Sequence, residues 1–207
     1  MSGFKKGGLF ILSSPSGAGK TTLVKKITRN KNFSVSISHT TRLPRPTEKN
    51  GKDYFFISKN NFKRLIKNKK FLEHAKVFDN YYGSSRDLVK DKLKTGKNVV
   101  FDIDWQGTRQ IRNKKLDYKL MTIFILPPSR KELLKRLIKR EKKNLKTVNK
   151  RMKSFKKDLS RWVEYDFVVI NDDLNKCYNK IMLAIKKNDK RDFDKNIIKK
   201  HVKKLLN

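Results

Sequence analysis

The sequence predicts an α/β protein built on a doubly wound parallel sheet. Four short apolar runs have the length and density of buried strands: Leu9–Ser13, Asn98–Asp102, Leu120–Leu126 and Phe167–Ile170. Helical or mixed segments separate these runs, and buried strands that alternate with helices indicate a parallel sheet covered on both faces. A length of 207 residues suits one such core with small inserted lobes.

The first helix is expected at about residues 20–29, directly after the first strand. Leu23, Val24 and Ile27 recur there at helical spacing and would share one buried face. The stretch from residue 35 to about residue 94 breaks the core pattern, and we interpret it as an inserted lobe with a possible edge strand at 54–57. It holds two prolines and most of the central aromatic residues, which are Tyr54, Phe55, Phe56, Phe71, Phe78, Tyr81 and Tyr82.

A helix is also expected after Ser129, because Glu132 follows three residues later as in a capping box. Its apolar residues are Leu133, Leu134, Leu137 and Ile138. Residues 139–157 are strongly polar and basic, which favours a mobile, solvated lobe. The Lys-rich tail from about residue 186 has a weak apolar periodicity, and we expect a terminal amphipathic helix of low stability there. The apolar residues are Ile197, Ile198, Val202, Leu205 and Leu206.

The net charge of +35 leaves a nucleic-acid-binding protein open as one interpretation. Most of the 54 basic residues are lysines spread over the whole chain, whereas a sequence-reading groove binder favours arginines at defined spacing. We interpret the charge as a solvated lysine-rich surface with weak, non-specific affinity for polyanions and no specific nucleic-acid partner.

Cys177 is the only cysteine, so an intramolecular disulfide is impossible and a reducing compartment fits. The apolar stretch at residues 9–12 is too short for a signal-peptide core or a membrane-spanning helix. The sequence therefore predicts a soluble, cytoplasmic protein with no membrane partner, either a monomer or a homo-oligomer.

Residues 14–21 nearly match the phosphate-binding Walker A pattern G-x-x-x-x-G-K-[ST] and follow an apolar strand, as that motif requires. They are Ser14, Pro15, Ser16, Gly17, Ala18, Gly19, Lys20 and Thr21, with serine at the first glycine position. Gly17 and Gly19 let the backbone wrap an anion, to which the positive end of the following helix adds attraction. Lys20 would reach the β- and γ-phosphates of a nucleotide, and the Thr21 hydroxyl would bind Mg²⁺.

The second apolar strand ends in Asp102, which is typical of a Walker B carboxylate that holds Mg²⁺ through a bound water. The two motifs together predict a P-loop protein that uses ATP or GTP. They leave the acceptor of the phosphate undecided.

Arg42 and Arg45 lie three residues apart beside two prolines. Two guanidinium groups on a stiff backbone suit a phosphate dianion. Tyr54 and the pair Tyr81-Tyr82 could add hydroxyl donors, so this segment is a candidate acceptor-phosphate site.

Seven short motifs occur in order along the chain: S-x-S-x-T-T-R-x-P-R at 36–45, G-x-x-Y-x-F at 51–56, F-L-E-H-A at 71–75, N-Y-Y-G-[ST]-S at 80–85, D-I-D-x-Q-G at 102–107, P-P-S at 127–129 and V-x-N-D-D at 169–173. With them the chain closely resembles the guanylate kinase family, from about residue 8 to residue 183 and almost without gaps. The resemblance implies transfer of the γ-phosphate of ATP to GMP, and to dGMP, giving ADP and GDP in purine nucleotide metabolism.

The fold implied by the resemblance is a P-loop core at 1–34 and 95–207 with an inserted, mixed GMP-binding lobe at 35–94. A short helical lid would occupy about 137–157 within the core, and residues from about 186 to 207 would form a basic C-terminal helix or tail.

The resemblance also implies which residues bind GMP. Ser38 and Glu73 match the residues that read guanine, which agrees with the chemistry, because one carboxylate accepts both N1–H and N2–H of guanine whereas adenine has no such donor pair. The other matched positions on this side are Arg42, Arg45, Tyr54 and Tyr82 for the phosphate, Ser84 near the base, and Asp102 and Asp104.

On the ATP side the resemblance implies residues 14–21 together with Thr22, Arg136, Arg140, Arg151 and Asn171. Lys20, Arg42, Arg136 and Arg151, with Mg²⁺, would share the charge of the transferring group. A general base is not needed, because the acceptor is already an anionic phosphate oxygen at neutral pH.

One departure from the family concerns the lid, where a glycine usually follows the arginine matched by Arg140. This chain has Glu141 and then the basic run 142–146, a lid expected to bind ATP more tightly or release product more slowly. Two other functions stay open: a non-catalytic module of the same fold that binds phosphopeptides, and a P-loop kinase with another acceptor. The intact phosphate loop argues against the first, and Ser38 with Glu73 argues against the second.

Overall fold

The computed structural model describes residues 7–141, 144–187 and 193–207 of the chain. Its strands form a five-stranded sheet in the order β2-β7-β1-β8-β9 and a four-stranded sheet in the order β4-β3-β6-β5. The strands are β1 (Leu9–Ser13), β2 (Phe33–Val35), β3 (Ser38–Thr40), β4 (Phe55–Phe56), β5 (Phe71–Val77), β6 (Asn80–Ser85), β7 (Asn98–Asp102), β8 (Leu120–Leu126) and β9 (Phe167–Ile170). The four runs predicted as strands coincide with β1, β7, β8 and β9, and the predicted α/β class is confirmed.

Helices alternate with these strands in the described chain, together with a short 3-10 helix at Ser160–Glu164. They are α1 (Lys20–Ile27), α2 (Lys59–Lys67), α3 (Arg86–Lys94), α4 (Trp105–Asn113), α5 (Arg130–Arg140), α6 (Leu145–Leu159), α7 (Leu174–Lys187) and α8 (Lys195–Leu206). Within the described residues, none of these helices has the length and apolar content needed to cross a bilayer.

The chain divides into two compact units. The first takes the residues through Phe10 and Asn30–Leu120, and the second takes Ile11–Arg29 and the residues from Met121 onward. The four-stranded sheet lies inside the range 35–94 that the sequence assigns to an inserted lobe. The lobe, core and lid boundaries drawn from the sequence stay a prediction.

In the first unit, β2 runs parallel to β7, with Phe33 opposite Asn98. The mixed sheet joins β3 to β4 in parallel and to β6 in antiparallel, and β6 to β5 in antiparallel. β4 is the edge strand expected at 54–57, shortened to two residues. One face of this sheet is aromatic, because Phe62 of α2 stacks on Phe71 and Tyr81 at ring distances of 4.6 and 5.5 Å.

The free edge of β5 is covered by α4. The Gln110 side chain accepts a hydrogen bond from the His74 backbone N–H (3.1 Å) and donates one to the His74 carbonyl (2.7 Å). The Gln110 amide thus takes the place of a neighbouring strand. It satisfies the His74 N–H and C=O groups, which at a sheet edge would otherwise have no strand partner.

In the second unit, β8 and β9 pair in parallel, with Ile123 opposite Phe167. α1 buries Leu23, Val24 and Ile27, as the sequence predicts. Cys177 is buried in α7, and this burial raises the pKa of its thiol to about 12, so the thiol stays protonated and unreactive at neutral pH.

α5 begins as predicted, since Ser129 Oγ accepts a hydrogen bond from the Glu132 backbone N–H at 3.1 Å. Of the apolar residues of this helix, Leu133 and Leu137 are buried and Leu134 is exposed. It lies one position past Leu133 and is turned about 100° away from it around the helix.

The expectation of a solvated lobe at 139–157 is wrong in part. α6 buries Val148, Phe155 and Leu159, whose helical spacing is obscured in the sequence by the surrounding lysines. The terminal helix is confirmed as α8, where Ile198, Val202 and Leu205 are buried while the other two residues of the predicted period, Ile197 and Leu206, are exposed. Residues 188–192 of the predicted tail lie outside the described chain.

Candidate functional site

The phosphate loop in the second unit has the backbone that its glycines predict. Gly17 and Gly19 have φ angles of 93° and 98°, a region that residues with side chains rarely adopt. α1 begins directly after Gly19, without a side-chain cap and without an acidic residue in its first turn. The positive end of this helix is therefore not neutralised locally and can attract an anion.

Asn171, which follows β9, fastens the loop. Its side-chain N–H donates to the Ala18 carbonyl at 2.8 Å, and the residue is only 4% exposed. A Cβ added at Gly19 would overlap the nitrogen of this amide. Gly19 is thus required both by its backbone angle and by the space that Asn171 occupies.

The three arginines predicted for the lid all lie beside this loop. Arg140 Nη2 and Arg151 Nη1 donate to Ser16 Oγ, at 2.8 and 2.9 Å. Arg136 Nη1 lies 3.7 Å from the place of a Cβ at Gly19. Since these side chains come from α5 and α6, two helices bring positive charge to one stretch of loop backbone.

The start of α1 presents Lys20, Thr21 and Thr22, and both threonines are exposed. Ser14 replaces the first glycine of the motif, and its hydroxyl donates to the Pro15 carbonyl at 2.9 Å. The hydroxyl that Ser14 adds at this position is therefore bonded to the backbone of the loop itself.

Glu141 was not singled out as a site residue, yet it contacts two of the lid arginines. Its Oε1 lies 2.9 Å from Arg140 Nε and 3.2 Å from Arg151 Nε. The Glu141 side chain is 11% exposed and the Arg151 side chain 15% exposed, so this ion-pair network is largely shielded from water.

In the first unit, a row of buried polar residues crosses the non-aromatic face of the mixed sheet. Ser38 of β3 lies opposite Ser84 of β6, which in turn lies opposite Glu73 of β5. Residues that face each other across antiparallel strands share one side of the sheet. The Ser84 hydroxyl donates to Glu73 Oε1 at 2.6 Å, and Glu73 is only 3% exposed.

A β-bulge between Phe71 and Glu73 decides which way the carboxylate faces. On a regular strand, residues two positions apart lie on the same face, so Phe71 and Glu73 would share a face. The extra residue instead leaves Phe71 in the aromatic cluster and turns Glu73 to the polar face, as bulges commonly do beside functional sites. Gly107 of α4 makes room, since a Cβ there would overlap Glu73 Oε2.

Arg42 and Arg45 converge on a second glutamate that the sequence did not single out. Glu48 Oε1 accepts from Arg42 Nη2 at 2.8 Å and from Arg45 Nη1 at 3.2 Å, and its Oε2 accepts from the Arg45 backbone N–H at 2.7 Å. The Arg42 guanidinium also lies over the rings of Tyr54 (5.3 Å) and Phe56 (5.8 Å). Two arginines are thereby held in a fixed fork, a geometry suited to a phosphate.

The pKa values of this cluster follow from its contacts. Burial by itself would raise the pKa of Glu48, but the hydrogen bonds and charges of Arg42 and Arg45 outweigh it and lower that pKa below 4.5. Burial likewise opposes the charge of Arg42, yet Glu48 raises the net pKa of the guanidinium. Burial, and then the charge of Asp102, raise the pKa of Tyr54, so its phenol remains a hydrogen-bond donor at neutral pH.

Tyr82 lies beside Tyr54, with ring centroids 6.1 Å apart, whereas Tyr81 stacks on Phe62 of the aromatic face. Asp104 begins α4, where its Oδ1 accepts from the backbone N–H groups of Gln106 (3.0 Å) and Gly107 (3.1 Å). In the described contacts, Asp104 acts as the N-cap of α4. Its contact with the base stays a prediction.

The structure thus gathers the predicted residues into two clusters, one in each unit. Ser38, Glu73, Ser84 and the arginine fork lie in the first unit, and the phosphate loop with its three arginines lies in the second. Glu48 and Glu141 were missed. Each is an acidic residue within a basic run, and that contrast is the signal that could have revealed them in a chain with 54 basic and 19 acidic residues.

Comparison with known proteins gives one consistent result. A family model described as guanylate kinase matches residues 6–188. The chain is 47% identical over 183 residues to a guanylate kinase of Buchnera aphidicola subsp. Schizaphis graminum, covering 87% of each chain. It is 45% identical over 206 residues to that of Wigglesworthia glossinidia brevipalpis, covering 98% of this chain and 99% of the other.

A solved structure is also similar. The crystal structure of guanylate kinase from Anaplasma phagocytophilum superposes with a TM-score of 0.74 at 32% identity, and the match covers 89% of this chain and 87% of that one. Similarity of sequence and of fold therefore agree.

Proposed function

This chain belongs to the guanylate kinase family, whose members transfer the γ-phosphate of ATP to GMP, and we propose how its residues divide that reaction. The first unit would bind the acceptor, GMP or dGMP, and the second would bind ATP. The observation that carries the proposal is the buried row of Ser38, Ser84 and Glu73, because a buried carboxylate set in a hydroxyl-lined sheet face suits a base with adjacent N–H donors.

Glu73 would read guanine through N1–H and N2–H. The Ser84 hydroxyl binds Glu73 Oε1 at 2.6 Å and so fixes the carboxylate in its buried position. An adenine in the same place would present no matching donor pair and would leave the carboxylate poorly solvated, a penalty that enforces selectivity. Ser38, at the other end of the row, would add a hydroxyl contact to the base, and Asp104, at the start of α4, would add a carboxylate contact.

Arg42 and Arg45 would bind the phosphate of GMP, with Tyr54 and Tyr82 donating from their phenols. Each guanidinium carries five N–H donors, more than Glu48 uses, so an incoming phosphate can bind the same fork. Glu48 keeps both arginines in one orientation before the phosphate arrives, which reduces the ordering cost of binding.

In the second unit, the backbone N–H groups of residues 14–21 would surround the phosphates of ATP. Lys20 and Arg136 would bind the terminal phosphates, and Arg140 and Arg151 would approach from the Ser16 side. Asn171 keeps the loop in shape through its bond to Ala18. These groups would neutralise charge as it develops on the transferring group, with Arg42 acting from the acceptor side.

We propose that Mg²⁺ accompanies ATP, with two oxygen donors of this chain as candidate ligands. Thr21 offers an exposed hydroxyl oxygen at the start of α1, and Asp102 offers a carboxylate at the carboxyl end of β7, and oxygen donors are those that Mg²⁺ prefers. Among the described residues no cluster of three or more His, Cys, Asp or Glu could hold a metal. When bound with ATP, the ion would supply charge neutralisation at the β- and γ-phosphates.

The acceptor oxygen of GMP is anionic at neutral pH, so the protein does not need to remove a proton from it. Positioning and charge neutralisation then provide the rate enhancement. We further propose a cytoplasmic location, which suits the single cysteine and its unreactive thiol.

The test is a coupled ADP-release assay with ATP and Mg²⁺, in which GMP is compared with AMP, CMP and UMP as acceptor. We expect strong turnover with GMP, weak or no turnover with the other three, and loss of turnover in Lys20→Ala. A folded protein that binds GMP without turnover would contradict the proposal and favour a binding module. Equal use of several acceptors would contradict the role given to Glu73.

A further inference from the structure

A bridging carboxylate joins two arginines at the phosphate loop. Glu141 lies at the end of α5, and its Oε1 is 2.9 Å from the Nε of Arg140 on the same helix. The same oxygen is 3.2 Å from the Nε of Arg151, which comes from α6. One carboxylate oxygen therefore lies between guanidinium groups that different helices supply.

Glu141 contacts both arginines at Nε, and this contact limits the directions in which their terminal nitrogens can point. A guanidinium is planar, so the hydrogen bond from Arg140 Nε to Glu141 and the ion pair of Arg151 Nε with Glu141 restrict the direction of the terminal nitrogens. In both arginines a terminal nitrogen reaches Ser16 Oγ, with Arg140 Nη2 at 2.8 Å and Arg151 Nη1 at 2.9 Å. The carboxylate thus lies behind the arginines, and their donor ends face the loop.

We propose that Glu141 is a positioning residue for ATP: it orders Arg140 and Arg151 so that their terminal N–H groups face the phosphates. This rests on the proposed assignment of ATP to the second unit. Glu141 itself would not touch the nucleotide and would act through the two arginines.

Two effects of the carboxylate oppose each other. Its negative charge repels a polyphosphate, so charge alone predicts that removing it strengthens ATP binding. Its contacts also restrain two long side chains that otherwise carry substantial rotamer entropy, which ATP would have to remove on binding. Ordering is expected to outweigh repulsion, because the two arginines contact both Glu141 and the loop, and their positive charges offset the carboxylate there. Whether ATP affinity rises or falls when the Glu141 charge is removed therefore separates the two effects.

The experiment measures the dissociation constant of a non-hydrolysable ATP analogue by calorimetry, together with KM for each substrate and kcat. Glu141→Gln keeps the shape of the side chain and removes its charge. We expect it to weaken binding of the analogue about 3-fold to 10-fold, the range for a partly shielded charge pair, with a matching rise in KM for ATP and no change in KM for GMP. Glu141→Asp, which keeps the charge on a shorter side chain, should restore part of the affinity.

A matched control is Glu164→Gln, which removes a glutamate paired with Arg161 (3.1 Å) in the 3-10 helix. It should leave the affinity for the analogue unchanged. In a second control, Glu141→Gln is added to a variant that already carries Arg140→Gln and Arg151→Gln. If Glu141 acts through these arginines, it should cause no further loss there.

Tighter binding by Glu141→Gln would overturn the proposal and make Glu141 a competitor of the nucleotide. Unchanged affinity, or an equal loss in the background without the arginines, would also overturn it. The binding measurement keeps this proposal distinct from the proposed function: a protein that binds the analogue but does not turn over GMP contradicts the function alone. A wild-type protein that binds no ATP analogue would overturn both.

Discussion

The two arginine forks of this chain are held in different ways. In the first unit, Arg42 is packed over the rings of Tyr54 and Phe56 and also bound to Glu48 at 2.8 Å. In the second unit, the contacts described for Arg140 and Arg151 are polar ones, to Glu141 and Ser16. The first fork combines an aromatic support with a carboxylate, and the contacts described for the second are with a carboxylate and a hydroxyl.

The difference suggests a division of labour between the units. An arginine packed on aromatic rings keeps its orientation even when its charge partner is weakened. A fork held by a carboxylate and a hydroxyl depends more on the residue that supplies the carboxylate. The acceptor side is thus expected to be preformed, and the donor side to be adjustable.

Glu73→Gln should cause the largest loss. The amide keeps one oxygen acceptor but places an N–H group against the N–H donors of guanine, and the bond from Ser84 loses its charged acceptor. We expect kcat/KM for GMP to fall on the order of 10³-fold, with KM for ATP little changed. Steady-state kinetics with each substrate varied would measure both. A loss smaller than tenfold would show that the acceptor side is not built around this carboxylate.

Gly19→Ala should have an intermediate effect, confined to the donor side. The new methyl group would require a strained backbone at φ 98° and would displace the Asn171 amide. We expect affinity for an ATP analogue to fall about tenfold or more and the free energy of unfolding to fall by about 1–3 kcal/mol. Calorimetry and urea unfolding would test this, with unchanged GMP affinity as the internal control. An unaltered ATP affinity would contradict the loop geometry described for residues 17–19.

Glu48→Gln should have the smallest effect, seen mainly as pH-dependent stability. The folded-state pKa of Glu48 is lowered below the ordinary 4.5, so its carboxylate stabilises the fold above that pH. This contribution is lost as the pH falls through the lowered pKa. At neutral pH the variant should be less stable than the wild type by about 1–2 kcal/mol, and the two should converge well below pH 4.5. Urea unfolding at several pH values measures the difference; a gap independent of pH would contradict the ion-pair explanation.

Much of this molecule could be predicted from its sequence, because the signals were strong where burial is complete. β1, β7, β8 and β9 are buried apolar runs, and a run of that kind fits few structures other than a strand of a sheet covered on both faces. The α6 helix was harder to recognise, since Val148 and Phe155 stand among lysines that conceal their spacing.

The site residues also divide into those with a strong sequence signal and those without one. Motifs predicted residues such as Lys20 and Glu73, because phosphate loops and guanine-reading carboxylates require particular residue types. The roles of Glu48 and Glu141 were harder to predict, because an acidic residue within a basic run is a weak signal: a glutamate near arginines in sequence usually forms a weak surface pair. The bulge that turns Glu73 toward the polar face is likewise set by pairing across strands and not by local sequence.

The most direct test of the account compares Arg42→Gln with Arg151→Gln, measuring by calorimetry the affinity of each variant for GMP and, separately, for a non-hydrolysable ATP analogue. The account predicts a crossed result: Arg42→Gln loses GMP affinity and keeps that for the ATP analogue, while Arg151→Gln does the opposite. If either variant loses affinity for the nucleotide assigned to the other unit while keeping its own, the division into an acceptor unit and a donor unit is contradicted.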